Sequence, residues 1–386
     1  MLTRLKGFLI LLTMALLPTF LIWLPFFARL KSFWGIPLPL MGMATIVANY
    51  DGPLFMVVAK TFYNPEMIKN LFQFPLPVEY YAAHFPLFPL LIRVFSYTLG
   101  YPYAMLAVTL ASSFLALYFF NRLAKSFVGK EDSLWLTLVF AFLPARWLIV
   151  RSVGSAEPLF IAGLIASVYY FRKGNYWRAA IWGIVAQLTK SPGILLFLAY
   201  LAIIIGPEIK RLSISSLAKW PEILALKKVF PILLIPLSLL SVFILYGIKL
   251  GDFLAYFHSG DNIHLFFPPF SIFNYSAPWV GTFWLEEVIF VYLLGLLGLS
   301  NLIRNKEIVL SWVTGVFLVS LFFVAHRDVI RYALPTVPFL LISFYPTLIR
   351  REFKTIMVLL IIPIYLFSLA YISQNVMPIS DWAPFL

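Results

Sequence analysis

The chain has 386 residues, 62% of them hydrophobic and 12% charged, with a mean hydropathy of +0.93. Soluble domains carry about 25% charged residues, so this composition excludes a water-soluble globule and makes lipid the solvent. The net charge of +13 is dispersed over short segments between apolar runs, which argues against a nucleic-acid partner, and the absence of cysteine excludes disulfides, thiolate metal sites and a cysteine nucleophile.

In chain order there are eleven apolar runs, seven of them within the roughly 17–25 residues that cross a hydrocarbon core and four somewhat shorter. They cover 7–28, 102–121, 133–150, 157–171, 177–190, 192–207, 230–249, 285–303, 308–325, 334–349 and 355–373. The first is longer than a signal-peptide core and has no convincing cleavage site, so it reads as a retained span. Placing the amino terminus in the cytoplasm puts 18 of the 29 Lys and Arg on that side, with 6 of the 16 acids. The bias of Lys and Arg toward the cytoplasm fixes this orientation. The basic stretch 210–228 is then the longest cytoplasmic segment. Two longer segments, 29–101 and 250–284, lie outside; the second is a candidate lid. Both are rich in Pro and aromatics rather than Ser and Gly, so ordered, membrane-hugging structure is expected. Residues 40–62 predict an amphipathic helix on the interface, and 86–97 a second helix or a re-entrant piece. No repeat or soluble domain is evident, and 1–386 reads as a single all-α polytopic membrane domain.

Asp51 is the first acid of the chain and follows the first span on the outer side. Ionisable residues beside a bilayer are costly and are functional candidates by default. A carboxylate there can act as general base toward a sugar hydroxyl; its structural alternatives are a helix cap or a salt bridge. Further polar residues gather on the same face: Tyr50, Glu79, His84 and Arg93; Arg146, Arg151 and Glu157 in the turn between the third and fourth spans; Lys190 after the fifth; and His326, Arg327, Asp328, Arg331 and Tyr332 after the ninth. Arg327 and Arg331 are four apart, so a helix would put them on one face. With Lys190 or Arg151 they would form a cationic pocket for phosphate; the alternative is cations snorkelling to outer headgroups. Glu157 opens a span, where a carboxylate meets the helix amino terminus favourably. For His84 a hydrogen-bonding role is expected. Lys60, Lys69 and Lys249 read as plain surface charges. His258, Asp261 and His264 fall in the candidate lid as solvated residues. Four histidines without tight spacing do not suggest a metal centre.

The string Tyr50-Asp51-Gly52, with Phe62-Tyr63 and the run from Tyr81 through Phe85-Pro86-Leu87-Phe88-Pro89 to Arg93, resembles the PIG-V family. These are GPI mannosyltransferase II and its prokaryotic relatives, within the GT-C superfamily of membrane glycosyltransferases. The resemblance continues through Ser155-Ala156-Glu157-Pro158, Leu188-Thr189-Lys190-Ser191-Pro192-Gly193 and Arg327-Asp328-Val329-Ile330-Arg331-Tyr332. It implies a GT-C fold with juxtamembrane helices in the first external loop. It further implies inverting transfer of a sugar, most often mannose, from a polyprenyl-phosphate donor to a lipid-linked or glycan acceptor at the extracytoplasmic face. On that pattern Asp51 matches the catalytic base. Arg331, Arg327 and Lys190 match donor-phosphate or cavity positions, with Arg151 added on charge, and Glu157, His84, Tyr50, Tyr332 and His326 line the pocket. Tyr50 departs from the usual Trp, Lys190 from a frequent Arg, and His84 from an aromatic or small residue. No cofactor is expected, because cations alone can neutralise a leaving phosphate and no Asp-x-Asp pair follows the first span. The expected location is the cell membrane for a prokaryotic chain, or the endoplasmic reticulum for a eukaryotic one. The competing readings are a flippase or transporter of lipid-linked sugars and a transferase with a non-mannose donor. Transporters place charges near the midplane of repeated halves, whereas here they gather at one face.

Overall fold

The computed structural model describes residues 2–211, 223–260, 265–274 and 285–386. Most of the 210–228 stretch, with Asp261 and His264, lies outside the described residues. The described chain is mostly helical. Its one two-stranded ribbon pairs Ser32–Phe33 with Ile36–Pro37 across a Trp34-Gly35 turn, both residues at positive φ, as a tight hairpin of this hand requires. Contacts divide the chain into two units: Met1–Ala162 with Val242–Ser259 and Tyr345–Leu386, and Gly163–Ser241 with Gly260–Phe344.

Five described helices are long and apolar enough to cross a membrane: Leu5–Phe27, Tyr101–Ala124, Lys228–Leu250, Leu285–Arg304 and Arg351–Gln374. The protein is thus a multi-pass helical membrane protein. The third expected span is broken into Lys130–Phe142 and Ala145–Ser152, bent by 74°. Pro144 explains the break, since it lacks an amide donor and drives the preceding Leu143 into an extended conformation (φ −110°, ψ 138°). The remaining expected spans are helical but short or interrupted. The 16 residues of Glu157–Arg172 reach about 24 Å at 1.5 Å per residue, against a hydrocarbon core of about 30 Å.

The first unit packs Leu2–Phe27, Tyr101–Ala124, the bent pair and Arg351–Gln374 around Gly52–Thr61 and Leu87–Leu99. Gly52–Thr61 departs from the expected interfacial helix. It is buried nearly all round, from Gly52 to Ala59 and again at Thr61, because its sequence carries no polar stripe to face water. Leu87–Leu99 is the amphipathic element: it buries Phe88, Pro89 and Ile92 and exposes Val94, Phe95 and Tyr97. Asn121 ties the second span to the third, its amide reaching the Ser133 carbonyl at 3.1 Å and the Thr137 hydroxyl at 3.0 Å.

In the second unit the Phe171 and Tyr200 rings stack at 3.9 Å. The Ser167 hydroxyl donates to the Ala179 carbonyl at 2.7 Å. A Cβ on Gly163 would stand 2.8 Å from the Ala186 amide nitrogen, so these two helices approach backbone to backbone. Arg172 pairs with Glu307 at 2.8 Å, joining two turns expected on the cytoplasmic side. Lys354 and Asp132, 3.8 Å apart, do the same within the first unit.

Prolines inside spans leave carbonyls four residues earlier without their donor. Pro18 lies inside the first helix, and the Arg151 guanidinium donates to the Met14 carbonyl at 3.3 Å, to Ala15 at 2.9 Å and to Ala141 at 2.6 Å. Pro25 deprives Leu21 in the same way, and the Tyr365 hydroxyl donates to that carbonyl at 3.0 Å. An orphaned buried acceptor costs roughly 1–3 kcal/mol. Arg151→Ala is therefore expected to destabilise the protein by on the order of 3 kcal/mol, read as a lower thermal midpoint of the detergent-solubilised protein. Arg151→Lys should recover little of it, since one ammonium cannot bridge both helices.

Candidate functional site

Asp51 stands at the start of Gly52–Thr61 and is partly exposed. Its side chain makes no capping hydrogen bond to that helix, while its carbonyl accepts from the Phe55 amide at 2.9 Å. The preceding Tyr50 has φ +49°, a left-handed conformation that costs a non-glycine residue of order 1–3 kcal/mol and persists only where the surroundings enforce it.

Here the surroundings do so from several sides. Asn49, fully buried, donates its amide to the Ile372 carbonyl at 2.7 Å, one of the unsatisfied carbonyls at the end of Arg351–Gln374. The Ala48 carbonyl accepts from the Met377 amide at 2.7 Å. After Asp51, Gly52 is obligatory: a Cβ there would lie 2.5 Å from the Val47 carbonyl oxygen and 3.4 Å from that of Gly154. A Cβ on Gly154 would collide with Met105, 2.2 Å from its Cε. The segment bearing Asp51 and the turn leading to Glu157 thus abut over one methionine. Thr109 secures that turn, its hydroxyl 3.3 Å from the Ser155 carbonyl and 3.4 Å from the Ser155 amide.

Glu157 is buried in the first turn of its helix and accepts a short hydrogen bond from the Ser155 hydroxyl. Both features satisfy a carboxylate at a helix amino terminus. His84 is buried, with its ring edge-on to Phe55 at 4.8 Å, and its carbonyl accepts from the Tyr63 hydroxyl at 2.5 Å. The adjacent Ala82 carbonyl accepts from Tyr246 at 2.8 Å. These bonds fasten the residue by its backbone.

The cation beside the Asp51 corner is Arg146. It donates to the Tyr50 hydroxyl at 3.0 Å, and its guanidinium lies 3.8 Å from the centre of the Tyr371 ring, a stacking that favours Arg. Sequence reasoning placed Arg146 in the right turn but gave it no role; an arginine two residues after the span-breaking Pro144 was the available signal. Arg151, expected on phosphate, is instead fully buried and engaged by the three carbonyls described above. A guanidinium so enclosed meets no external anion. Lys60 also departs from expectation. It donates to the Pro384 carbonyl at 2.7 Å and sits 5.3 Å over the Tyr101 ring, so it is a structural tie.

In the second unit, Lys190 ends Tyr176–Thr189 in an extended conformation. The turn after it depends on Gly193, where a Cβ would lie 2.4 Å from Gln187 Cα. Asp328 precedes the short helix Val329–Ala333, its carbonyl accepting from the Arg331 amide at 2.9 Å, and its own amide donates to His326 Nδ1 at 3.0 Å. His326 and Tyr332 rings meet edge-on at 5.3 Å. Arg331 lies within this helix and is partly exposed, whereas Arg327 precedes it and is exposed. The two arginines therefore do not share a helical face. The expectation failed because the helix starts two residues too late. In the first unit, His258 Nδ1 lies 2.5 Å from Asp252, whose other oxygen accepts from the Leu254 amide at 2.9 Å. The His258 hydrogen bond holds the Asp252 carboxyl below the usual carboxylate range.

Asp51, Tyr50, His84, Arg151 and Glu157 belong to the first unit, and Lys190, His326, Arg327, Arg331 and Tyr332 to the second. Gly154→Ala is expected to lower the thermal midpoint through an overpacking cost of about 1–3 kcal/mol. The double variant with Met105→Ala should lose less than the sum of the two single losses, and a strictly additive pair would refute the abutment. No family model matches the chain, and no curated protein matches it.

Proposed function

We propose that the protein is an inverting glycosyltransferase of GT-C architecture, with eleven crossings, working on a polyprenyl-phosphate sugar at the extracytoplasmic face. One observation carries the reading: the Asp51 carboxylate is partly exposed at a corner whose backbone is braced on both sides.

Asp51 takes the proton of an acceptor hydroxyl as that oxygen attacks the anomeric carbon from the face opposite the phosphate. The glycosyl carbon–oxygen bond breaks, and the electron pair leaves on the polyprenyl phosphate. Guanidinium and ammonium groups stabilise the charge that develops there, so no acid catalyst and no metal ion is required. Arg331, Arg327 and Lys190 keep the phosphate-binding role that the sequence resemblance implies, and in the first unit Arg146, rather than Arg151, is the cation beside the Asp51 corner. Tyr50, His84, Glu157, His326 and Tyr332 are the pocket residues that the resemblance implies. Mannose is the proposed sugar, and a lipid-linked or glycan molecule the acceptor.

Proteoliposomes given polyprenyl-phosphate mannose, glucose or arabinose, each radiolabelled, and a membrane lipid extract as acceptor test this reading. Wild type should transfer label with inversion. Asp51→Asn should lower the rate at least about 10²-fold with the thermal midpoint unchanged, and chelator should leave transfer intact. Full turnover by Asp51→Asn removes the base. Movement of labelled lipid across the bilayer without bond exchange would replace the enzyme reading with a transporter.

A further inference from the structure

The Asp51 corner is held by a part of the chain more than three hundred residues away. Residues 375–386 follow the last span, and they meet the Asp51 segment at both of its ends. Before Asp51, Asn49 and Val376 form an isolated antiparallel bridge, the Met377 amide donates to the Ala48 carbonyl at 2.7 Å, and the Asn375 amide donates to Asn49 Oδ1 at 3.3 Å. After it, Lys60, in the last turn of Gly52–Thr61, donates to the Pro384 carbonyl at 2.7 Å and to that of Leu386 at 3.3 Å. Between those carbonyls the Phe385 ring is buried, 5.1 Å from Phe72 and 6.2 Å from Phe74. Asp381 shapes the approach by accepting from the Ala383 amide at 2.9 Å.

A helix of ten residues held three residues before its start and again in its last turn cannot slide or tilt without breaking these hydrogen bonds. Its first residue follows Asp51 directly. Tyr50, the other neighbour of Asp51, is held through Arg146 against Tyr371, four residues before Asn375. Orientation of a reacting group is worth large factors in rate, and a displacement of about 1 Å can cost on the order of 10²-fold.

We propose that residues 375–386 form a positioning strap for Asp51, with Asn375 and Lys60 as the positioning residues that set the rate of the transfer rather than the affinity for donor. The inference rests on the glycosyltransferase reading and adds to it a structural element outside the reacting centre. The strap acts by fixing where the carboxylate stands when the acceptor hydroxyl arrives.

The test uses the full chain in proteoliposomes with polyprenyl-phosphate mannose. Wild type, Lys60→Met, Lys60→Arg, Asn375→Ala and the Lys60→Met/Asn375→Ala pair are assayed beside Asp51→Asn. The pair should lower kcat about tenfold or more, with donor KM within about twofold and the thermal midpoint unchanged. Lys60→Arg should keep kcat near wild type, because a guanidinium reaches the same carbonyls. Hydrogen exchange should rise selectively over residues 49–61 in the pair. An inactive Asp51→Asn beside a pair with wild-type kcat and unchanged exchange overturns the strap alone, as does a pair whose kcat and thermal midpoint fall together. An active Asp51→Asn overturns the functional reading, and unchanged exchange in the pair then overturns the strap as a structural element too.

Discussion

The Arg151 guanidinium, sealed from solvent and aimed at three main-chain carbonyls, states the constraint on which the first unit is built. A bilayer offers no water to an unpaired carbonyl, so every helix break must be completed from within the protein. Pro18 removes a donor inside the continuous first helix and Pro144 breaks the third span, and Arg151 meets carbonyls at both places. The same completion recurs elsewhere in the unit. Trp23 reaches the Ser152 carbonyl at 2.6 Å, Trp135 that of Leu348 at 2.7 Å, and Asn49 that of Ile372 at 2.7 Å. Each of these links joins elements far apart in sequence. Tertiary structure in this unit is therefore largely the closing of accounts left open by its own secondary structure.

The Asp51 corner is where such completions are densest. A left-handed tyrosine, a glycine pressed on the Val47 carbonyl and a buried asparagine follow one another within four residues. None of the three would be tolerated in a loop free to relax. Strain of this kind persists only when neighbours over-determine it, and it clusters at sites that must hold a shape. The neighbours are identifiable: Met105 and Gly154 on one side, and the end of the last span on the other.

Much of the fold was legible in the sequence because apolar length is a direct requirement of the bilayer. Runs such as 102–121 and 355–373 became helices of nearly those bounds. Segments expected on one side also find each other, as Asp132 with Lys354 and Arg172 with Glu307 show. What stayed hidden depends on distant partners. Hydropathy marks 133–150 as one run, but the bend at Pro144 divides it. Residues 40–62, expected as one amphipathic helix, divide into Met43–Val47 and the buried Gly52–Thr61 on either side of the left-handed Tyr50. An arginine in a turn looks the same on paper whether it meets phosphate or stranded carbonyls. The start of a short helix at Val329 separated Arg327 from Arg331, and no periodicity in six residues announces that. Lys60 looked like surface charge because its acceptor, the Pro384 carbonyl, lies 324 positions away.

Arg146 and Arg151 show how one short element serves both purposes. They stand five residues apart on the helix Ala145–Ser152, which places them about 140° apart around its axis at 3.6 residues per turn. That angle forbids a shared environment. One arginine faces the first span and supplies the donors its proline lacks; the other faces Tyr50 and Tyr371. The 74° bend that precedes the helix turns both directions to use, since a straight continuation of Lys130–Phe142 would carry the same residues along a different line. The proline that breaks the span thus creates the stranded carbonyl at Ala141 and also aims the side chains that answer it. Fold completion and site construction are here two consequences of a single backbone break.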